Sequence, residues 1–160
     1  MAKFRIANLA ELARQLEFAP REVRFAQLSA AEQLLHEIEP GKGYPPEFVV
    51  YRITGYRAKA MAGDLLAGAA LRHDLGLLIE QISQTLELSA ADFAEPVLTI
   101  DEVCGRLNVT SKTIQRWRRR GLPARMIRFA DSKPRVAFLA SSVRDFLARQ
   151  QGTADQSQPS

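Results

Sequence analysis

The stretch TIDEVCGRLNVTSKTIQRWRRRG, Thr99 to Gly121, decides how the rest of the chain is read. Thr99 stands three residues before Glu102, the spacing at which a threonine hydroxyl and a glutamate side chain reciprocally satisfy the free amides of a helix start. Val103, Cys104 and Leu107 then share one face at helical spacing. Asn108 follows where the chain must reverse quickly, and Asn tolerates the left-handed backbone of a tight helix exit. Val109 fills the corner, and Thr110 is placed to cap a second helix. In that helix Ile114 and Trp117 point inward, which leaves Lys112, Gln115, Arg116 and Arg119 on the other faces. The pattern predicts two short helices around a tight turn, apolar inside and cationic outside.

Residues 97–149 resemble the winged helix-turn-helix of the MerR and excisionase regulators. The resemblance puts Cys104 where the crossed helices admit only a small residue, and Asn108 at the usual turn glycine. It puts the run TIQRWRRRGL, Thr113 to Leu122, on the helix that lies in the major groove, with Trp117 as its aromatic residue. The chain departs from the MerR branch at Gln115, where Arg is frequent, so that branch's phosphate contact is not carried over. It also stops soon after residue 150, without the long dimerisation helix and effector domain of full MerR proteins, and the excisionase-like branch fits better. Residues 8–88, through YPPEFVVYRITGYR (44–57) and LRHDLGLLIEQIS (71–83), resemble the region preceding the core domains of bacterial sigma-factor-like proteins. Without a sigma core domain, that resemblance implies transcription rather than a sigma factor.

The composition, 46% hydrophobic and 25% charged over 160 residues, is that of a folded chain of one ordinary domain or two small ones. No run approaches a membrane span and the N-terminus lacks a signal-peptide core, so a cytoplasmic, nucleoid-associated protein is expected. One cysteine forms no internal disulfide, and with His36 and His73 far apart no metal set is expected. There is no defensible nucleophile triad, paired-carboxylate or phosphate-loop pattern, so neither an enzyme nor a cofactor or small-molecule substrate is expected. The charge is uneven. Residues 95–150 carry 12 Lys and Arg against 5 Asp and Glu, whereas residues 1–94 carry 10 against 12. The positive charge is thus local to the helix-turn-helix candidate, as an electrostatic footprint for nucleic acid would be.

Along the chain, Asn8 with Glu11 has the spacing of a capped helix through Leu16. Arg21 to Glu39 is helical, with a break at Ser29 open because Ser29 and Glu32 repeat the capping spacing. Leu12, Ala13, Leu16, Phe18 and Val23 can be laid without a gap over Val103, Cys104, Leu107, Val109 and Ile114, which leaves open a second, degenerate helix-turn-helix at 8–28. Pro45-Pro46-Glu47 starts a short helix with Val49, Ile53 and Tyr56 inward, and from Asp64 a long amphipathic helix runs to about Leu86. Residues 89–96 read as a hinge, so the expected division is a helical N-terminal domain over 1–94 and a DNA-binding domain over 95–150. Ala124–Phe129 and Arg135–Leu139 predict a two-stranded wing. Ser141 or Ser142 caps a closing helix with Val143, Phe146 and Leu147 inward, and residues 151–160 read as a disordered tail.

The expected fold is therefore mainly α, with a small wing. The candidate DNA-binding residues are Ser111, Lys112, Thr113, Gln115, Arg116, Arg119 and Arg120 on the second helix, with Arg128, Lys133 and Arg135 on the wing. Gln115 and Thr113 are the candidates for base edges, because Gln pairs bidentately with adenine and Thr offers a hydroxyl or a methyl. Arg118 and Arg120 suit solubility or flanking phosphates equally well. The wing cations suit either a phosphate or minor groove or the protection of a sheet edge. Val103, Cys104, Leu107, Val109, Ile114, Trp117 and Phe146 are the expected core, Cys104 buried and unreactive. The expected partners are double-stranded DNA and either a protein of the transcription machinery, RNA polymerase or an associated factor, or a second copy of the chain. The alternatives are a protein adaptor of that machinery and a mobile-element excisionase or DNA-packaging recognition subunit.

Overall fold

The computed structural model describes residues 3–57, 63–131 and 133–157, the last seven of them by backbone alone. It is mainly helical. The elements are α1 (Ala7–Leu16), α2 (Arg21–Glu37), β1 (Gly43–Tyr44), α3 (Pro46–Thr54), β2 (Leu66–Ala67), α4 (Gly68–Thr85), β3 (Val97–Thr99), α5 (Ile100–Leu107), α6 (Ser111–Arg119), β4 (Arg125–Arg128), β5 (Pro134–Leu139) and α7 (Ala140–Ser157). Among the described residues no helix is long and apolar enough to cross a membrane.

α4 is the axis. Its Leu71, Leu75, Leu78, Ile79 and Ile82 are buried on several sides because α1, α2, α6 and β4 all pack against it. The start of α1 is anchored by a buried carboxylate of α4: Asp74 accepts from the Arg5 amide at 3.0 Å and from the Ile6 amide at 2.7 Å. That anchor replaces the expected Asn8 cap. The helix begins at Ala7, and Glu11 pairs with Arg14 instead. α2 runs unbroken through Ser29, because Leu28, Ala31, Leu34 and Leu35 bury one continuous stripe. The overlay of 8–28 on the helix-turn-helix fails in space, since Phe18 and Val23 are exposed where Val109 is half-buried and Ile114 fully buried. α3 forms as expected, with Pro46 in its first turn and Val49 and Ile53 buried, but Tyr56 lies beyond the left-handed Gly55 and is exposed.

β1 and β2 make a short antiparallel pair that delivers the chain into α4, which starts at Gly68 rather than Asp64. Gly68 is required there, because a Cβ would sit 2.0 Å from the Glu39 carbonyl oxygen.

The C-terminal sheet has three antiparallel strands, ordered β3-β5-β4, instead of the expected two. The third is β3, whose Val97, Leu98 and Thr99 pair with Leu139, Phe138 and Ala137. Side chains alternate across this sheet. Ile127 and Ala137 join the core built on α4, while Phe138 joins a second core with Leu98, Val103, Ile114, Leu122, Val143 and Phe146. The sheet is thus a wall between two cores: the second is built wholly from residues 98–146, and the first extends across the expected 94/95 division through Ile127 and Ala137. The expected hinge is tied to the sheet as well: Ser89 bridges to Arg128, whose amide donates to the preceding Leu88 carbonyl at 2.7 Å, and the Ala140 amide donates to the Pro96 carbonyl at 3.0 Å. Within the same segment Glu95 accepts from the Ser141 amide at 2.6 Å and from its hydroxyl at 2.9 Å. A carboxylate from the hinge, rather than a serine, therefore sits at the positive end of α7. The backbone of α7 continues through Ser157, so residues 151–157 of the expected disordered tail are helical, and residues 158–160 lie outside the described residues.

Candidate nucleic-acid interface

The α5–α6 corner is set by local chemistry. The Glu102 amide donates to Thr99 Oγ1 at 3.2 Å, and the Thr99 amide donates to Glu102 Oε1 at 3.2 Å, which is the reciprocal box. Asn108 adopts φ 54° and ψ 50°, and the Val109 amide returns to the Cys104 carbonyl at 3.1 Å. The Thr113 amide then donates to Thr110 Oγ1 at 3.3 Å and fixes the start of α6. Ile114 is fully buried, and Trp117 packs against Phe146 with ring centroids 5.8 Å apart. Val103 and Phe146 are buried, while Leu107, Val109 and Cys104 pack half-buried at the edge of the same core. Cys104, expected to be buried, is thus only half-enclosed, packed against the rim of that core.

With Ile114 and Trp117 committed inward, the outer side of α6 carries Ser111, Lys112, Arg116, Arg119 and then Arg120, all exposed. Among the described residues none of these four cations has a carboxylate partner. Lys112, Arg116 and Arg119 recur at spacings of four and three, so they stand on one face.

The expected base readers are differently placed. Gln115 is half-buried on the side facing α4, and its carbonyl oxygen accepts from Arg118 Nη1 at 3.0 Å. Arg118 in turn pairs with Glu80 of α4. Bidentate recognition of adenine needs both ends of the Gln115 amide, and one is already engaged. Thr113 is half-buried and its hydroxyl lies 3.3 Å from that of Thr110. On the β4–β5 hairpin Arg128 pairs with Glu87 at 3.3 Å, and Arg135 pairs with Asp131 while lying over the Phe129 ring. Lys133 is exposed and, among the described residues, without a carboxylate partner. Arg128 and Arg135 are thus ion-paired, whereas the Lys133 ammonium is in no ion pair among the described residues, although its backbone amide donates to Asp131 Oδ1 at 3.1 Å.

Several polar residues gain roles that their local sequence does not signal. Arg125 is buried against Glu32, and its guanidinium carbon lies 5.9 Å from the Phe25 ring centroid and 5.8 Å from that of Phe93. Arg5 and Arg72 border a cleft between α4 and α6, together with Arg118 and Arg119. His36 is half-buried beside α7, where burial and then the Arg149 charge lower its pKa from 6.5 to about 4. Only the alternation of charge with apolar helix positions, as at Asp74 and Arg72, hinted at these roles. Comparison of the chain with protein-family models, curated proteins and solved structures returns no match.

Proposed function

We propose that the chain is a non-enzymatic regulator that binds double-stranded DNA through a winged helix-turn-helix, with α6 in the major groove. The observation that supports this reading is the outer face of α6, where Lys112, Arg116 and Arg119, with Arg120 just past the helix end, stand exposed and lack carboxylate partners among the described residues. A row of unpaired cations on a rigid, capped helix suits a row of phosphates. Lys133 on the neighbouring hairpin offers one more contact at the flank. With Gln115 and Thr113 engaged inside the fold, phosphate contact carries more of the affinity than base readout does. A module of this size covers only about 600–1,000 Å² of protein surface on DNA. Tethering by RNA polymerase, an associated factor or a second copy supplies the rest of the affinity.

Fluorescence anisotropy of the full chain on a mixed-sequence duplex, titrated across salt concentrations, tests the main reading. The expected result is a linear fall of log K with log salt, with a slope of about 0.9 per phosphate neutralised. Salt-independent binding, or none at low salt, overturns it.

A further inference from the structure

The cleft between α4 and α6 borders the second core at Leu122 and Ala124 and the outer face of α6 at Arg119. Its volume is about 430 Å³, within the range of small-molecule sites. The wall is apolar where Leu77 and Leu122 line it, and four arginines, Arg5, Arg72, Arg118 and Arg119, border it against the one acidic residue Glu80. Glu80 is engaged by Arg118. Arg72 donates through Nε to the Ile38 carbonyl at 2.9 Å, which holds its stem in place. Among the described residues Arg5, Arg72 and Arg119 form no ion pair, although the nearby Glu39 charge acts on Arg72. The fold therefore holds an excess of cations around a partly apolar hollow. Burial also disfavours the charged forms of Arg72 and Arg118, a cost that a bound anion offsets.

Gly76 adds a second observation. It lies in the middle of α4, where Gly is the least favourable residue after Pro, and it lines the cleft. A Cβ built there would meet nothing within 4 Å, so packing does not demand the glycine. A side chain added there would enter open space beside the cleft. Gly68, on the same helix, is by contrast required by backbone contact.

We propose that this cleft binds a small amphipathic anion, an apolar body carrying a carboxylate, sulfonate or phosphate, with the anionic group held by Arg72 and Arg119. Arg119 both lines the cleft and stands on the outer face of α6. Occupancy therefore withdraws one cation from the DNA-facing row and opposes duplex binding. This coupling, unlike the site itself, rests on the duplex reading given above.

The test uses the full chain and two dyes of similar shape, anionic 8-anilinonaphthalene-1-sulfonate and uncharged N-phenyl-1-naphthylamine. The expected result is a saturable fluorescence rise with the anionic dye and about ten-fold weaker binding of the neutral one. Arg72→Gln weakens the anionic dye alone, and Gly76→Phe abolishes binding of both. Thermal melts show that each variant is folded, and Gly76→Leu serves if the Phe variant does not fold. Equal affinity for the two dyes, no saturable binding, or full dye binding by a folded Gly76 variant overturns the site. In the second arm, saturating anionic dye weakens duplex binding by wild type and not by Arg119→Gln. Unchanged duplex affinity under dye overturns the coupling, whereas a chain that binds dye but no duplex overturns the reading of α6 and leaves the site standing.

Discussion

Arg125 and Glu32, 93 residues apart, form a buried two-pronged ion pair in which Nε and Nη2 donate at 2.9 and 2.7 Å to the two carboxylate oxygens. The pair joins α2 to β4, and so the amino-terminal helices to the sheet. A buried charge stripped of its partner is costly, whereas replacing both partners with apolar groups is often close to neutral. Arg125→Met alone should lower stability by about 3–5 kcal/mol, and Glu32→Leu with Arg125→Met should recover most of that loss. Urea unfolding of the single and double variants measures the difference. A Glu32→Leu/Arg125→Met chain no more stable than Arg125→Met would contradict the pairing.

The same joint predicts how the chain unfolds. Ile127 and Ala137 are buried against residues of the amino-terminal half, and the hinge is hydrogen bonded on both sides. Full-length protein should therefore show one cooperative transition, the same by far-UV circular dichroism and by Trp117 fluorescence. A fragment of residues 95–160 should melt broadly, because one face of its sheet is uncovered. Two resolved transitions in the full chain would mean that the sheet does not couple its halves.

What could be read from the amino-acid order was whatever depended on near neighbours. Thr99 with Glu102, Asn108 and Thr110 each act over at most five residues, and each does what its local chemistry requires. Asn8 and Glu11 show the same spacing as Thr99 and Glu102, yet no box forms there, because Asp74 from α4 reaches the amides of Arg5 and Ile6 first. A short strand such as Val97–Thr99 has no periodicity to detect and exists only because β5 is there to pair with it. Gln115 was expected on an open face of α6, but that face meets α4, a long-range contact that brings Glu80 to Arg118 and occupies the Gln115 carbonyl. The outer cations of α6 were legible because burying Ile114 and Trp117 left them one direction to take.

Two glycines on α4 should respond oppositely to alanine. At Gly76 the added methyl meets open space, so Gly76→Ala should raise stability by about 0.5–1 kcal/mol through helix propensity. At Gly68 the Cβ would press on the Glu39 carbonyl, and overpacking of this kind costs about 1–3 kcal/mol. Thermal midpoints of the two variants, measured side by side, should move in opposite directions.

His36 makes stability depend on pH in a defined sense. Burial, with Arg149 beside it, holds the folded-state pKa at about 4 against an ordinary value of 6.5, outweighing the smaller upward pull of Asp145 and Glu37. Between those values the unfolded chain binds a proton that the folded chain refuses. Stability from this group is full above 6.5 and is lost as the pH falls toward 4. His36→Gln should flatten that part of the profile, seen as a smaller change in urea midpoint between about pH 7 and pH 4.5. An unchanged slope would place His36 in water.

Arg116 and Arg118 are two residues apart on the same helix and should behave differently toward DNA. Arg118 is half-buried, paired with Glu80 and hydrogen bonded to Gln115, so its charge is already answered within the fold. Arg116 is exposed on the outer face with Lys112 and Arg119. Arg116→Ala should reduce the slope of log K against log salt by about one phosphate's worth and weaken binding uniformly across sequences. Arg118→Ala should leave that slope unchanged and instead lower the thermal midpoint, because it strands the carboxylate of Glu80 at the α4–α6 contact. The contrast separates a charged surface that attracts any polyanion from a row with a defined face. In the first case both substitutions reduce the slope alike, and in the second only Arg116→Ala does.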